Sequence, residues 1–304
     1  MNFFDSFASM LVLLAAIVVG YLSNKLHYMG GDFDRKLTRL LLDVFIPFNL
    51  VAAVLTSSNK PTLRGILDIL LVSVIYYGMA FLFAWLLPKL LRVSGKQAGV
   101  YRFAMAFTNV GFIGYPVVTA LFGREAMFYA AMLTLPFSLL AYSLGPIMLS
   151  GQSVRVTWRN FATPNVIAAL VALVLALTHA VFPAKITEAI DFIGAMAIPL
   201  ALVILGSILA GIPIRQIVGT PRLWVMVAMR LLVIPAILLV ILKTIGISGL
   251  LFQVAVTQAA MPIATNGSLL ALQYGGDSKL MAQATLLTTV ASIFTIPLMA
   301  MFLG

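Results

Sequence analysis

Long apolar runs with almost no charge recur along this sequence, and they decide which solvent the chain folds in. Residues 10–20, 66–87 and 198–214 hold a single charged side chain between them, Asp68. A hydrocarbon core of about 30 Å asks for roughly 20 such residues per helical crossing. Only 9% of the residues are charged, against about 25% in a soluble domain, so a globule of this composition could not be solvated. At about 22 residues per span plus short connections, 304 residues make about ten spans. That leaves no length for a soluble catalytic domain.

The expected spans are 6–26, 37–56, 66–88, 99–122, 126–149, 163–183, 187–210, 222–243, 250–273 and 279–303. Residues 1–10 lack a basic segment and carry Asp5, so they read as part of the first span rather than a signal peptide. The formal charge of +10 sits mainly in the connections. Lys25, Arg35, Lys36, Arg39, Lys89, Arg92, Lys96, Arg102, Arg155, Arg159, Arg215, Arg222 and Lys279 fall in or beside odd-numbered connections. Lys60, Arg64, Arg124, Lys185 and Lys243 fall by even-numbered ones. Cytoplasmic loops of membrane proteins concentrate Lys and Arg, so the odd connections are expected inside and both termini outside. Lipid headgroups, not nucleic acid, are the expected partner of this charge.

A shift of 152 residues, half the length, superimposes Ile46-Pro47 on Ile198-Pro199 and Leu50-Val51 on Leu202-Val203. It also puts Pro61 on Pro213 and Gly123 on Gly275. Five spans per half is an odd number, so duplicated halves would insert in opposite orientations. The expected organisation is therefore a first five-helix repeat over 1–150, a cytoplasmic linker over 151–162, and a second, inverted repeat over 163–304. Inverted repeats characterise many secondary transporters.

Polar and helix-breaking residues concentrate at corresponding places in the two halves. The fourth span reads Asn109-Val110-Gly111-Phe112-Ile113-Gly114-Tyr115-Pro116, and the ninth reads Met261-Pro262-Ile263-Ala264-Thr265-Asn266-Gly267-Ser268. Such segments are poor helix formers. In a bilayer they survive only where the freed backbone groups are buried in protein or line a cavity. Half-helix N-termini suit an anion, and Asn side chains add neutral donors and acceptors.

These two motifs, with Leu270-Ala-Leu-Gln-Tyr-Gly-Gly276 after the second, resemble bacterial members of the auxin efflux carrier family over essentially the whole chain. The resemblance implies a ten-helix, all-α membrane protein with a scaffold domain, a transport domain, and crossing broken helices in the fourth and ninth spans. It implies a substrate at the crossover and matches Asn109 to the family's crossover asparagine. Bacterial relatives are associated with dicarboxylates such as malate and malonate, plant relatives with auxin export. A homodimer through scaffold helices fits the same resemblance. Two features depart from the plant exporters: Ser268 stands where they carry a second proline, and the central loop shrinks to about a dozen residues.

The expected substrate-binding residues are Asn109, Gly111, Gly114, Tyr115 and Pro116 from one arm and Pro262, Thr265 and Asn266 from the other. Pro and Gly shape the breaks, while Asn109, Thr265 and Asn266 hydrogen-bond the substrate. Asn49 and Gln258 are expected as further wall residues. An ionisable residue inside a membrane is a functional candidate by default, which singles out Asp43 and Asp68 for ion coupling. Asp68 is favoured because Arg64-Gly-Ile-Leu-Asp68 resembles the family's acidic position in this span. Arg230 is expected in a structural ion pair; His27 and His179, like Trp85, Trp158 and Trp224, in interfacial positions.

No catalytic residue, metal or cofactor is expected. The chain lacks cysteine, its two His are far apart, and its nine acidic residues are scattered, so no H-E-x-x-H zinc helix or Asp-rich magnesium motif occurs. The expected function is a cell-membrane secondary transporter moving a small organic anion, a dicarboxylate or auxin-like acid, by alternating access. An ion channel or an intramembrane enzyme is the alternative.

Overall fold

The computed structural model describes residues 3–57, 62–150, 162–178, 180, 182–211 and 220–303. Among these, secondary structure is helical apart from one antiparallel bridge between Thr108 and Ile263. Pro61, Pro213, Arg155, Arg159, Arg215, Lys60, Trp158, His179 and nearly all of the linker lie outside the described residues.

The helices are α1 (Phe3–Lys25), α2 (Gly31–Leu55), α3 (Leu63–Leu90), α4 (Gly95–Ala106), α5 (Val110–Phe122) and α6 (Ala126–Ser150), followed by α7 (Pro164–Thr178), α8 (Ala184–Ala210) and α9 (Pro221–Thr244). The last three are α10 (Gly249–Ala259), α11 (Gly267–Gln273) and α12 (Ser278–Ala300). By length and composition α2, α3, α8, α9 and α12 are each apolar enough to cross a membrane. α6, which bends by 44° between Ala141 and Ser143, makes a sixth when its two arms are counted as one span. The expected fourth and ninth spans are each two helices, α4 with α5 and α10 with α11, separated by short non-helical segments.

Three prolines explain a recurring local distortion. Pro has no N–H, and its ring clashes with the carbonyl four residues back. Before Pro47, Pro116 and Pro235 the chain widens into one π-helical turn, at Leu41–Phe45, Val110–Gly114 and Met229–Val233. In each case the residue preceding the proline bonds five residues back: Ile46 to Leu41, Tyr115 to Val110, Ile234 to Met229. Single π turns of this kind often mark functional sites. Here they carry Asp43 and Arg230 and lead into Tyr115.

The helices pack in two groups. One comprises α1, α2, α7 and α8; α1 lies along α8, and α2 against α7 and α8. The other gathers α3–α6 with α9–α12. Between membrane helices there is little hydrophobic drive, so small residues that allow close van der Waals approach do the packing. Gly20 rests on the backbone of Val203, and Gly206 on that of Ile17. A Cβ at either position would collide with backbone, so α1 and α8 could not keep this spacing. Asn49 fastens the same group, donating to the Gly194 carbonyl at 2.8 Å across the bend of α8. Outward-facing apolar side chains such as Val74 (71% exposed) and Phe294 (72%) suit a lipid solvent rather than water.

Candidate functional site

α4 ends at Ala106 because Phe107 turns extended (φ −123°, ψ 119°). The Phe107 ring is held by Phe81, Phe103 and Phe137, with centroids 4.9–6.0 Å away. The second break runs alongside. Asn109 donates its backbone N–H to the Pro262 carbonyl at 2.7 Å, and Ala264 donates to the Phe107 carbonyl at 3.2 Å. The two interruptions thus pair as a miniature antiparallel ladder, satisfying backbone groups that both helices abandoned. Thr288 of α12 completes the arrangement by accepting the Ile263 N–H at 3.2 Å.

Chain resumption as α5 depends on Asn109. Its Oδ1 accepts the Phe112 N–H at 3.1 Å, capping the new helix. With the oxygen so engaged, the amide orientation is set and Nδ2 remains as a buried donor with no protein partner. Gly114 packs tightly over the Asn109 carbonyl, where a Cβ would come within 3.3 Å, whereas a Cβ on Gly111 would meet open space.

Beside this junction lies a cavity of about 200 Å³. Of the expected residues, Asn109, Gly111, Tyr115, Thr265, Asn266 and Asp43 line it. Gly114 and Pro116 are buried in the resuming α5 behind the lining residues, and Pro262 contributes its backbone carbonyl to the ladder. Asn49 and Gln258 are not brought to it. Asn49 lines a second cavity of about 190 Å³ with Thr119, Arg124 and Ala195, and Gln258 ties α10 to α6 by donating to the Ala130 carbonyl at 3.0 Å. The cause is helix rotation, which aims each of these side chains at a neighbouring backbone instead of the cavity.

Asp43 stands exposed at the rim, with Arg39 one helical turn away at 3.3 Å. It is the one charged lining residue among the described residues. Asp68, half-buried on α3, neither lines this cavity nor forms a hydrogen bond or ion pair with a described residue. Arg230 does not form the expected ion pair. It is fully buried and donates to the carbonyls of Met105 (2.8 Å) and Ala259 (2.6 Å) and to the Tyr76 hydroxyl (3.1 Å).

Sequence reasoning missed Thr108, Thr134, Phe137 and Asn165 as lining residues. Thr108 adjoins the motif, and its position was the one available signal. Asn165 at the start of α7 and Thr134 within apolar α6 reach the cavity only by tertiary packing. Asn165 Oδ1 and Asn266 Oδ1, like Asn109 Nδ2, are buried without a protein partner.

A family model described as "Membrane transport protein" matches residues 5–156 and 152–300. A protein of Methanothermobacter thermautotrophicus named "Uncharacterized transporter" is 30% identical over the full length of both chains. Another so named, from Methanocaldococcus jannaschii, is 24% identical over 95% of this chain and 96% of its own. A protein of Rhizobium meliloti named "Putative malonate transporter" is 23% identical over 92% of this chain and 90% of its own.

Proposed function

The chain belongs to the membrane transport protein family, the auxin efflux carriers that its motifs resemble, and from that premise we propose that it carries a small organic anion by alternating access. It is a multi-pass membrane transporter and not an enzyme. The cargo site is the 200 Å³ cavity at the paired breaks. One observation carries this reading: Asn109, a residue of the cavity wall, spends its oxygen on capping α5 and keeps a buried amide donor with no protein partner. A carboxylate accepts such bonds, and the cavity volume suits a small acid. The name of the Rhizobium meliloti relative supports a dicarboxylate such as malonate.

Counting each interrupted pair as one crossing makes ten spans, in two inverted halves over 1–150 and 163–304 joined by 151–162. α1, α2, α7 and α8 form the scaffold, and the remaining helices move against it. With the basic connections in the cytoplasm, both termini lie outside the cell membrane. The cavity at Asn109 then opens inward, beside the start of α7, and the cavity at Asn49 lies on the outer side. Two copies join through scaffold helices.

Asp43, rather than Asp68, couples the cargo to protons. Asp43 lines the cavity as a carboxylate held beside Arg39, whereas Asp68 does not reach it. Asp43→Asn is expected to flatten the pH dependence of uptake, and Asp68→Asn to leave that profile intact. The reverse pattern would return the role to Asp68.

The decisive test is malonate uptake into proteoliposomes. Asn109→Ala, recovered folded, is expected to lower saturable uptake at least tenfold. Unchanged affinity and rate in that variant would refute the site.

A further inference from the structure

Arg230 is a fully buried cation inside an apolar helix, and among the described residues no carboxylate pairs with it. A guanidinium keeps its charge even when buried, so its counter-charge has to come from somewhere else. Its partners supply it. Met105 lies one residue from the end of α4, and Ala259 is the last residue of α10. The final carbonyls of a helix have no partner within it, and a helix end carries roughly half a negative charge. Two such ends converge here on one guanidinium, so the charges nearly balance without any acidic side chain.

The third partner leads to the cavity. Tyr76 accepts from Arg230 at 3.1 Å, which leaves the phenolic proton free for Thr108 Oγ1 at 3.3 Å. Thr108 is both a cavity-lining residue and a member of the bridge between the breaks. A line of polar contacts therefore runs from the buried cation to the cavity wall.

We infer that Arg230 is a positioning and charge-selecting residue of the transport site. It bolts the C-terminal ends of α4 and α10 together and cancels a negative potential that would otherwise repel an anion from the cavity. This rests on the cavity being the cargo site. Arg230 touches no cargo; it acts through the two helix ends and through Tyr76.

The chain has no cysteine, so Thr265→Cys places a unique thiol on the cavity wall. Its modification rates with anionic sulfonatoethyl and cationic trimethylammonioethyl methanethiosulfonate report the local potential without any substrate. Adding Arg230→Met is expected to lower the anionic-to-cationic rate ratio at least tenfold, while Arg230→Lys holds it within threefold. An unchanged ratio in monodisperse, fully helical Arg230→Met protein would overturn the proposal. If that variant does not fold, Arg230→Gln, which retains donors for the two carbonyls, carries the same measurement. Should both neutral variants fail to fold where Arg230→Lys folds, charge is what the crossover requires and the proposal stands. If Arg230→Lys fails with them, side-chain shape decides and the charge role is refuted. Malonate titration calorimetry separates this from the cargo reading: a shifted thiol ratio, with Asn109→Ala binding malonate as tightly as the unmodified protein, would sink the cargo site and leave standing only the control of the cavity potential by Arg230.

Discussion

The two interruptions contain the same kinds of residue, Pro, Asn and Gly, yet the fold completes them differently. At the first, Asn109 caps the helix that follows with its own side chain, and the chain resumes through a π turn into α5. At the second, Asn266 makes no side-chain cap, α11 is only seven residues long, and the segment is held from outside by the Thr288 hydroxyl. The first break is secured locally and the second by a neighbouring helix. The difference also sorts the polar atoms: Asn109 is left with a free donor and Asn266 with a free acceptor. Two similar sequences thereby leave complementary groups unpaired.

If external support is what holds the second break, Thr288→Val should have the largest effect. It removes the acceptor of the buried Ile263 N–H while keeping the side-chain shape, and an orphaned buried donor costs about 1–3 kcal/mol. Denaturation in detergent should show this loss, and hydrogen exchange should place it at residues 260–266. Unaltered stability would mean that the second break is self-supporting after all.

Asn109→Ala should come next, losing about 1 kcal/mol with the cap, with faster exchange at the Phe112 amide as its local sign. Asn266→Ala should cost only a few tenths of that cap energy, since no cap is lost, and should weaken malonate binding nonetheless. Equal destabilisation by the two alanines would erase the contrast between the breaks. Gly111→Ala should change stability least, because its Cβ meets open space, while narrowing the cavity enough to slow uptake; normal uptake by this variant would show that cargo does not pass Gly111.

Much of this was legible in the sequence. In a solvent without hydrogen-bonding partners, an apolar run must be helical and a Pro-Asn-Gly cluster must be an exception. Local composition therefore determined where the helices lie, where two of them break, and that Asn109, Thr265 and Asn266 belong near one another. The family followed from the same motifs.

Tertiary structure alone decided how the helices turn about their axes and which backbone each polar side chain meets. Asn49 and Gln258 looked like cavity walls but spend their amides on the carbonyls of Gly194 and Ala130. Thr134 and Asn165 looked like ordinary helix residues but face the cavity. Arg230 looked like half of an ion pair, and no local pattern shows that its counter-charge is two helix ends, since those ends meet only when segments more than a hundred residues apart are packed together. Helix formation is written in neighbours along the chain, whereas the electrostatics of a site depend on neighbours in space.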